Sequence, residues 1–538
     1  MLKKRFMSWE SLLLHDLKRD WIKILIWVIG LGAFSAGFVP AFVEITKGQG
    51  LIGMYEVLQN PAMMSIVGPT PIDVATYYTI GAFYSHTMLL FSSLIAMIMS
   101  ALHIVGRTRK EEDSGLLELV RSFEIGRQAN SLAAIKEMVV INILLAIFTS
   151  GLLYSFDADT ITMEGSLLFG ISIGMAGIIG GALALVLSQI MSSSSSAIGS
   201  SLGIIGLLYI IRAGTDISNV DLSMINPLGW TYLTYPFTEN NWIPLLYAAI
   251  FSIVLVIIAF ALEGGRDMGA GYLPERQGRA NAKKSLLSVS GLFIRINRGT
   301  IIAWLIGYSI LGISYGAVYG DMEAFIKNNE LAQLMFTQSG VSLEISFTST
   351  IMLVMMGLVC IIPIVIINKL FAVEINSYIT QLQATRVTRG RLYWTNIVLA
   401  TVVGLTGIIV SAASLGATAL YVMSDNTTME MVDFLTSGFN SIPVVLFYVA
   451  LAALVLGWVP RLGKLVYVYF TYSFFLSYFS GIIDLPDWVL KTAINSWIPM
   501  MPMEDFDLSI FITITAISLI MIIVGYLGYN NRDMVEGA

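Results

Sequence analysis

The chain has 538 residues, of which 56% are hydrophobic and only 12% charged. A soluble globular chain carries about 25% charged residues, so the composition excludes a water-soluble enzyme or nucleic-acid-binding protein and points to an all-α integral membrane protein. The formal net charge of −6 averages over two oppositely charged faces.

The N-terminus is basic (Lys3, Lys4, Arg5), and residues 5–20 mix Phe6, Trp9, Leu12, Leu13 and Leu17 with charge. This predicts a helix lying in the inner membrane interface, with a plain positive flank as the alternative. A span follows at 21–43, with no cleavage site after it, so it reads as a retained helix. Further apolar runs of spanning length occupy 77–106, 138–156, 165–191, 197–214 and 242–262. His86 sits inside the second of these and reads as a packing residue; with only His15 and His103 besides, a histidine metal site is not expected. Gly170–Gly174 and Gly199–Gly203 match G-x-S-x-G, but both lie in or at apolar spans, where a nucleophile elbow has no strand to sit on. With Gly177, Gly180 and Gly181 the first is a close-packing helix face. Ser192–Ser196 form a short inner loop. Arg212, near the outer end of the fifth span, either reaches outer headgroups or meets an anionic substrate. Residues 283–298 repeat the basic amphipathic pattern before a seventh span. Spans at 300–320, 347–368, 393–422, 438–459, 465–483 and 508–529 complete the set, making about twelve. Cys360 is the one cysteine, so disulfides play no part. The outer segments 46–76 and 321–346 are long for hairpins; Pro227, Trp230, Pro236 and Trp242 crowd the sixth span, and Trp497, Pro499 and Pro502 the twelfth, as re-entrant turns or an aromatic belt.

Placing the N-terminus inside puts 26 of the 30 Lys and Arg on the inner face and leaves only Lys47, Arg212, Lys327 and Lys491 outside. The inner face then nets +11 and the outer −17, the asymmetry expected of a bacterial plasma-membrane protein with both termini in the cytoplasm. The halves also match internally. Arg266-Asp267-Met268 and Arg532-Asp533-Met534 lie 266 residues apart, Ile225-Asn226 and Ile494-Asn495 269 apart, and Trp27-x-x-Gly30 and Trp304-x-x-Gly307 277 apart. Glu112 and Arg127 recur as Glu374 and Arg389, both at an offset of 262. Two parallel six-helix repeats, 1–280 and 281–538, each with a preceding interfacial helix, follow from this order, with the pathway expected between them.

The most informative loop is 107–136, charged and amphipathic, with Leu116, Leu119, Val120 and Phe123 at helical spacing. Glu111, Glu112, Arg121 and Arg127 surround that stripe, and Gly126 reads as a stop. A solvated hairpin fits; so does a docking helix for a cytoplasmic partner, present twice because 371–391 is its counterpart. The residues alone leave the transporter class open, an ion-coupled secondary carrier included.

Glu-Glu-x-x-Gly-Leu-Leu-Glu-Leu-Val at 111–120, ending in Ile-Gly-Arg at 125–127, resembles the coupling region of ABC type-two permeases. The double six-span chain and the Arg-Asp-Met ending of each half resemble the exporter-of-polyketide-antibiotics group, which includes permeases linked to tetronasin and other polyether ionophores. The resemblance covers essentially the whole chain. It implies a pseudo-dimeric fold like that of type V ABC exporters, and export of hydrophobic or amphipathic compounds. It also implies that two copies of a cytoplasmic ABC ATPase dock on Glu111, Glu112, Gly115, Leu116, Glu118, Leu119 and Arg127, and on Glu374, Leu382, Arg386 and Arg389. In the second half Ser377 stands where Gly115 stands, and Thr380 where Glu118 stands. No G-x-x-x-x-G-K-[ST] run is present, so ATP and Mg are expected on the partner, and no cofactor or catalytic residue on this chain.

Overall fold

The computed structural model describes residues 2–46, 50–59, 61–72, 74–273, 280–321, 342–375, 377–423, 429–479 and 486–533. Lys47, Lys327, Met534, most of the 321–346 segment and the end of the 465–483 span lie outside the described residues. The chain divides into two compact units, Met1–Gln277 and Gly278–Ala538.

In the first unit the long helices are α1 (Trp9–Ala36), α2 (Ile80–Arg107), α5 (Ala129–Ser155), α6 (Met163–Ile190), α7 (Ser194–Ser218) and α8 (Ile243–Gly265). The two short helices between α2 and α5 are α3 (Arg109–Asp113) and α4 (Leu116–Arg121). Side-chain caps start several of the long helices. Thr79 accepts from the Ala82 N–H, Thr162 from Gly165 and Ser193 from Ser196, each satisfying one donor that the first turn leaves open. The most enclosed helix is α6. A Cβ at Gly180 would meet the Met97 backbone, and one at Gly177 the Asn142 carboxamide. The glycine face therefore packs α2 and α5 against α6 at backbone distance, as its spacing predicts. Ser172 inside it bonds Thr234 at 3.1 Å.

The second unit holds α9 (Val289–Ala317), α10 (Leu343–Ile375), α11 (Tyr378–Gln383), α12 (Arg389–Met423), α13 (Ile442–Trp458), α14 (Leu465–Phe479) and α15 (Leu508–Asn531). The main partnerships recur: α1 with α5 as α9 with α12, α2 with α6 as α10 with α13, α6 with α8 as α13 with α15. Pro443 near the start of α13 separates it from the preceding helix Met431–Asn440.

Among the described residues eleven helices are long and apolar enough to cross a membrane, each overlapping an expected span. The remaining expected span, 465–483, is occupied by α14 as far as Phe479, and residues 480–483 lie outside the described residues. Ile22, Leu25, Ile26 and Ile29 on α1, Ile250, Ile253 and Ile257 on α8, and Leu519, Ile520 and Ile523 on α15 are all exposed within their units. Contiguous apolar faces of that kind call for lipid or protein cover.

Two expectations change. Residues 5–20 are not a separate interfacial helix: after a short helix Leu2–Arg5 and a turn at Ser8 (φ 66°), α1 runs unbroken from Trp9 through the span. Likewise α9 starts at Val289 and continues without a break. No proline interrupts either stretch, and a charged side chain does not end a helix whose backbone ladder is intact. The segment 46–76 contains two short helices, Gly50–Leu58 and Pro61–Val67, with a small core of Tyr55, Leu58, Val67, Tyr78 and Phe83.

Candidate functional site

The charged run after α2 resolves into two buried faces and one exposed tip. Glu111 and Glu112 are neighbours on α3 and so point about 100° apart. Glu112 turns toward the end of α8. Its Oε1 lies 2.7 Å from Arg266 Nη1 and its Oε2 2.6 Å from Arg266 Nη2, a bidentate pair with side chains 4% and 9% exposed. The Gly269 N–H donates to Glu112 Oε1 at 2.6 Å. Arg266 Nε also donates to Gln189 Oε1 at the end of α6, at 2.8 Å. Arg127 donates to the Glu263 and Arg266 carbonyls, closing the C-terminus of α8.

The second unit builds the same node. Arg532 Nη1 and Nη2 each lie 2.6 Å from one Glu374 oxygen. Its Nε donates to the Leu456 carbonyl near the end of α13 at 3.3 Å. Arg389 donates to the Asn530 and Arg532 carbonyls at 3.3 and 2.7 Å, closing the end of α15. Each arginine thus ties the elbow after the second long helix of its unit to the ends of the fourth and last. Such charge-assisted bidentate pairs fix direction as well as distance.

Gly115 opens α4 at φ 76°, and Ser377 opens α11 at φ 58°. The left-handed turn is kept where glycine is not, at a backbone cost of about 1 kcal/mol. Beyond it Leu117 and Ile379 are buried, holding α4 and α11 to their units. The exposed tip in the first unit is Leu116, Leu119 and Phe123, with Glu118 beside them; in the second it is Tyr378, Gln381 and Thr385, with Arg386 exposed nearby and Leu382 half-buried.

Glu112 and Glu374, expected at a partner surface, are therefore closed inside their own units, because each has an arginine from the last helix end within reach. Arg127 through Nη2 and Arg389 through Nη1 donate to backbone carbonyls, while Arg127 remains exposed. Leu116, Glu118, Leu119 and Arg386 face outward.

Glu111 belongs to a second cluster, particular to the first unit. Arg107, 6% exposed, lies 3.2 Å from Asp16, 2.9 Å from Asp20, 3.2 Å from Glu111 and 3.1 Å from Glu137. Arg19 reaches Glu111 at 3.3 Å and His103 reaches Glu137 at 3.2 Å. The cluster pins α1, α2, α3 and α5 together. At offsets of 277 and 262 the second unit has Phe293, Asn297, Lys369 and Leu399, and Lys369 donates to the Ile296 carbonyl at 2.9 Å.

Sequence reasoning passed over Arg109, which is fully buried. It donates to the Ser192, Gly269 and Ala270 carbonyls, the latter two at 2.9 and 3.0 Å. Nothing in the run Arg107–Asp113 marks it apart from exposed Lys110; only the fold does. Gly126 acts by proximity. Its N–H donates to the Met7 carbonyl at 3.0 Å, and a Cβ there would run into the Arg5 carbonyl and lie 2.6 Å from Met7 N.

Arg212 is fully buried and paired with Asp216 at 2.9 Å, and it also donates to the Ser65 and Ile66 carbonyls. Tyr232 donates to both Asp216 oxygens, at 2.7 and 2.9 Å. Burial first, then the Asp216 carboxylate, push the Tyr232 phenol well above its ordinary value, keeping it a donor. Arg212 thus ties α7 to the helix Pro61–Val67, with its charge paired to Asp216. His86 has both ring nitrogens engaged, by Tyr78 at 2.8 Å and Gly68 O at 2.9 Å, as a packing residue should.

Residues 286–530 match the family model described as the C-terminal domain of the multidrug efflux system permease Rv1217c. Over 532 residues the chain is 25% identical to the multidrug efflux system permease protein Rv1217c of Mycobacterium tuberculosis (strain ATCC 25618 / H37Rv), covering 96% of this chain and 94% of the relative. Both names agree with the permease and efflux parts of the resemblance drawn from the coupling motif, and neither mentions polyketides.

Proposed function

We propose that the chain is the membrane-spanning permease of an efflux system, moving hydrophobic or amphipathic compounds out of the cell. Two copies of a separate cytoplasmic ATPase, which bind and hydrolyse ATP with Mg, drive it. The observation that carries this reading is the node present at the same place in each unit. A short helix with an outward tip is set on a buried acid–arginine pair, and that pair grips the ends of two long helices. A solvated connecting loop needs no such fixture, whereas a lever that passes force into the membrane does. The Lys and Arg distribution supports placing the nodes and both termini in the cytoplasm. The recurring node and helix partnerships support reading the units as parallel six-helix repeats. Polyketide or polyether-ionophore compounds are the substrate class drawn from the coupling-motif resemblance.

The test is affinity capture of the chain from its native host, followed by an ATPase assay. Because Glu112 is buried, the clean variant is Leu119→Asp with Phe123→Ser, both at exposed positions. The expected result is a stoichiometric ATPase captured with the wild-type chain and lost from the variant, whose unfolding is unchanged. The competing reading is an ion-coupled carrier, favoured by the buried charge cluster around Arg107. A chain captured alone, with efflux that follows an ion gradient, would establish it instead.

A further inference from the structure

Protein interiors are close-packed, with few voids larger than a water. The second unit holds a cavity of about 50 Å³ between α10, the helix pair Met431–Trp458 and the 495–501 turn. Met352, Met356 and Cys360 stand at i, i+4 and i+8 on one face of α10, and Met500 and Met501 line the cavity from the turn. At the positions 262 earlier the first unit has Leu90, Leu94 and Ile98. The two leucines there are replaced by unbranched thioethers, which have three rotatable bonds and re-pack around whatever shape is presented, and the isoleucine by a small thiol.

Two carboxamides give this apolar wall a polar handle. The Asn440 NH2 donates to the Pro499 carbonyl at 2.8 Å, leaving its oxygen as an acceptor. The Asn495 oxygen takes the Tyr448 hydroxyl at 2.9 Å and the Ser473 hydroxyl at 3.1 Å, leaving its NH2 as a donor. In the first unit Asn226, 269 residues earlier, uses both ends locally. Its NH2 goes to the Leu208 carbonyl at 2.8 Å, and its oxygen accepts from the Leu228 N–H at 2.9 Å. Among the described residues the cavity lining includes no Asp, Glu, Lys, Arg or His, so a charged guest would lose its hydration without a partner.

We infer that this methionine-lined cavity is a binding site, in the second unit alone, for uncharged apolar compounds carrying a hydrogen-bonding group. The inference rests on the permease reading and adds a place and a charge preference to it. At rest the cavity falls well short of the roughly 300–1,000 Å³ of a drug pocket, so binding proceeds by displacement of the methionines. From Cys360 to Glu374 is 14 residues along α10, about 21 Å of helix. One helix therefore joins the site to the Arg532 node.

Cys360, the single cysteine of the chain, is buried, so its thiol is labelled only while the methionines part, and the labelling rate reports on the open cavity without any substitution. The purified permease is labelled with N-ethylmaleimide, with and without N-phenyl-1-naphthylamine, an uncharged dye, or ethidium, a permanent cation. The site predicts that the uncharged dye slows labelling several-fold and that ethidium does not. Fluorescence titration of N-phenyl-1-naphthylamine should weaken by about tenfold or more in Met356→Trp, which fills the cavity, and by less in Met356→Leu. Equal protection by ethidium, no protection by either dye, or wild-type dye affinity in a folded Met356→Trp overturns the inference. If Met356→Trp does not fold, the wild-type labelling decides alone. Neither readout involves an ATPase, so loss of the ATPase reading and loss of the site give different results.

Discussion

Removal of Arg266 is the sharpest test of the node. Arg266→Met takes away both hydrogen bonds to Glu112 and the one to Gln189, while Glu112 stays buried. Stripping one partner from a buried pair costs about 3–5 kcal/mol. Here the residual carboxylate keeps the Gly269 N–H at 2.6 Å and Arg109 at 3.3 Å, which places the cost near the lower limit, about 3 kcal/mol. Replacing both partners, Arg266→Met with Glu112→Leu, leaves no uncompensated charge at that pair and should recover most of the loss. The assay is a double-mutant cycle on reversible unfolding in mixed micelles, with a coupling energy of about 2 kcal/mol expected between the two sites. Singles that each cost under about 0.5 kcal/mol, or a double mutant as unstable as the sum of its singles, would refute the view that the pair secures the elbow.

Gly126→Val drives a side chain into the Arg5–Met7 backbone; it should cost about 1–3 kcal/mol and expose the first ten residues to limited proteolysis. Ser377→Gly relieves the left-handed turn that opens α11 and should stabilise the second unit by about 1 kcal/mol. Gly115→Ala should destabilise the first by a similar amount, both read from unfolding titrations. Arg212→Met leaves Asp216 buried without its cation and should lower stability by about 3 kcal/mol. Efflux assays with matched anionic and neutral compounds should show no selective loss of the anion, and such a loss would return Arg212 to the substrate path.

Glu112 and Arg266 illustrate what was legible and what was not. As separate residues both were visible in the chain, because each recurs at nearly half its length, and so were Arg127 and Glu374. That the recurrences are two ends of one contact was not visible, since 154 residues separate Glu112 from Arg266 and 158 separate Glu374 from Arg532. The amphipathic run at 107–136 announced a charged elbow, but the same run holds buried Arg107 and Arg109 beside exposed Lys110. Charge alone does not say which cation finds carbonyls and carboxylates to replace its water.

Long apolar runs are a local property, and the helices they form are set by the need to satisfy every backbone donor within the segment once water is absent. The sequence by itself therefore determined that this is a many-helix membrane chain, with the approximate places of eleven long helices and the glycine face of α6. Several were read short at their charged ends, as where α1, α5 and α9 start at Trp9, Ala129 and Val289, because hydropathy stops at the first charge and the helical ladder does not. Which polar groups face each other depends on how those helices lie side by side. Only the tertiary structure decided that Glu112 and Glu374 face inward, that Arg212 is neutralised by Asp216, and that methionines from α10 and the 495–501 turn meet around one cavity.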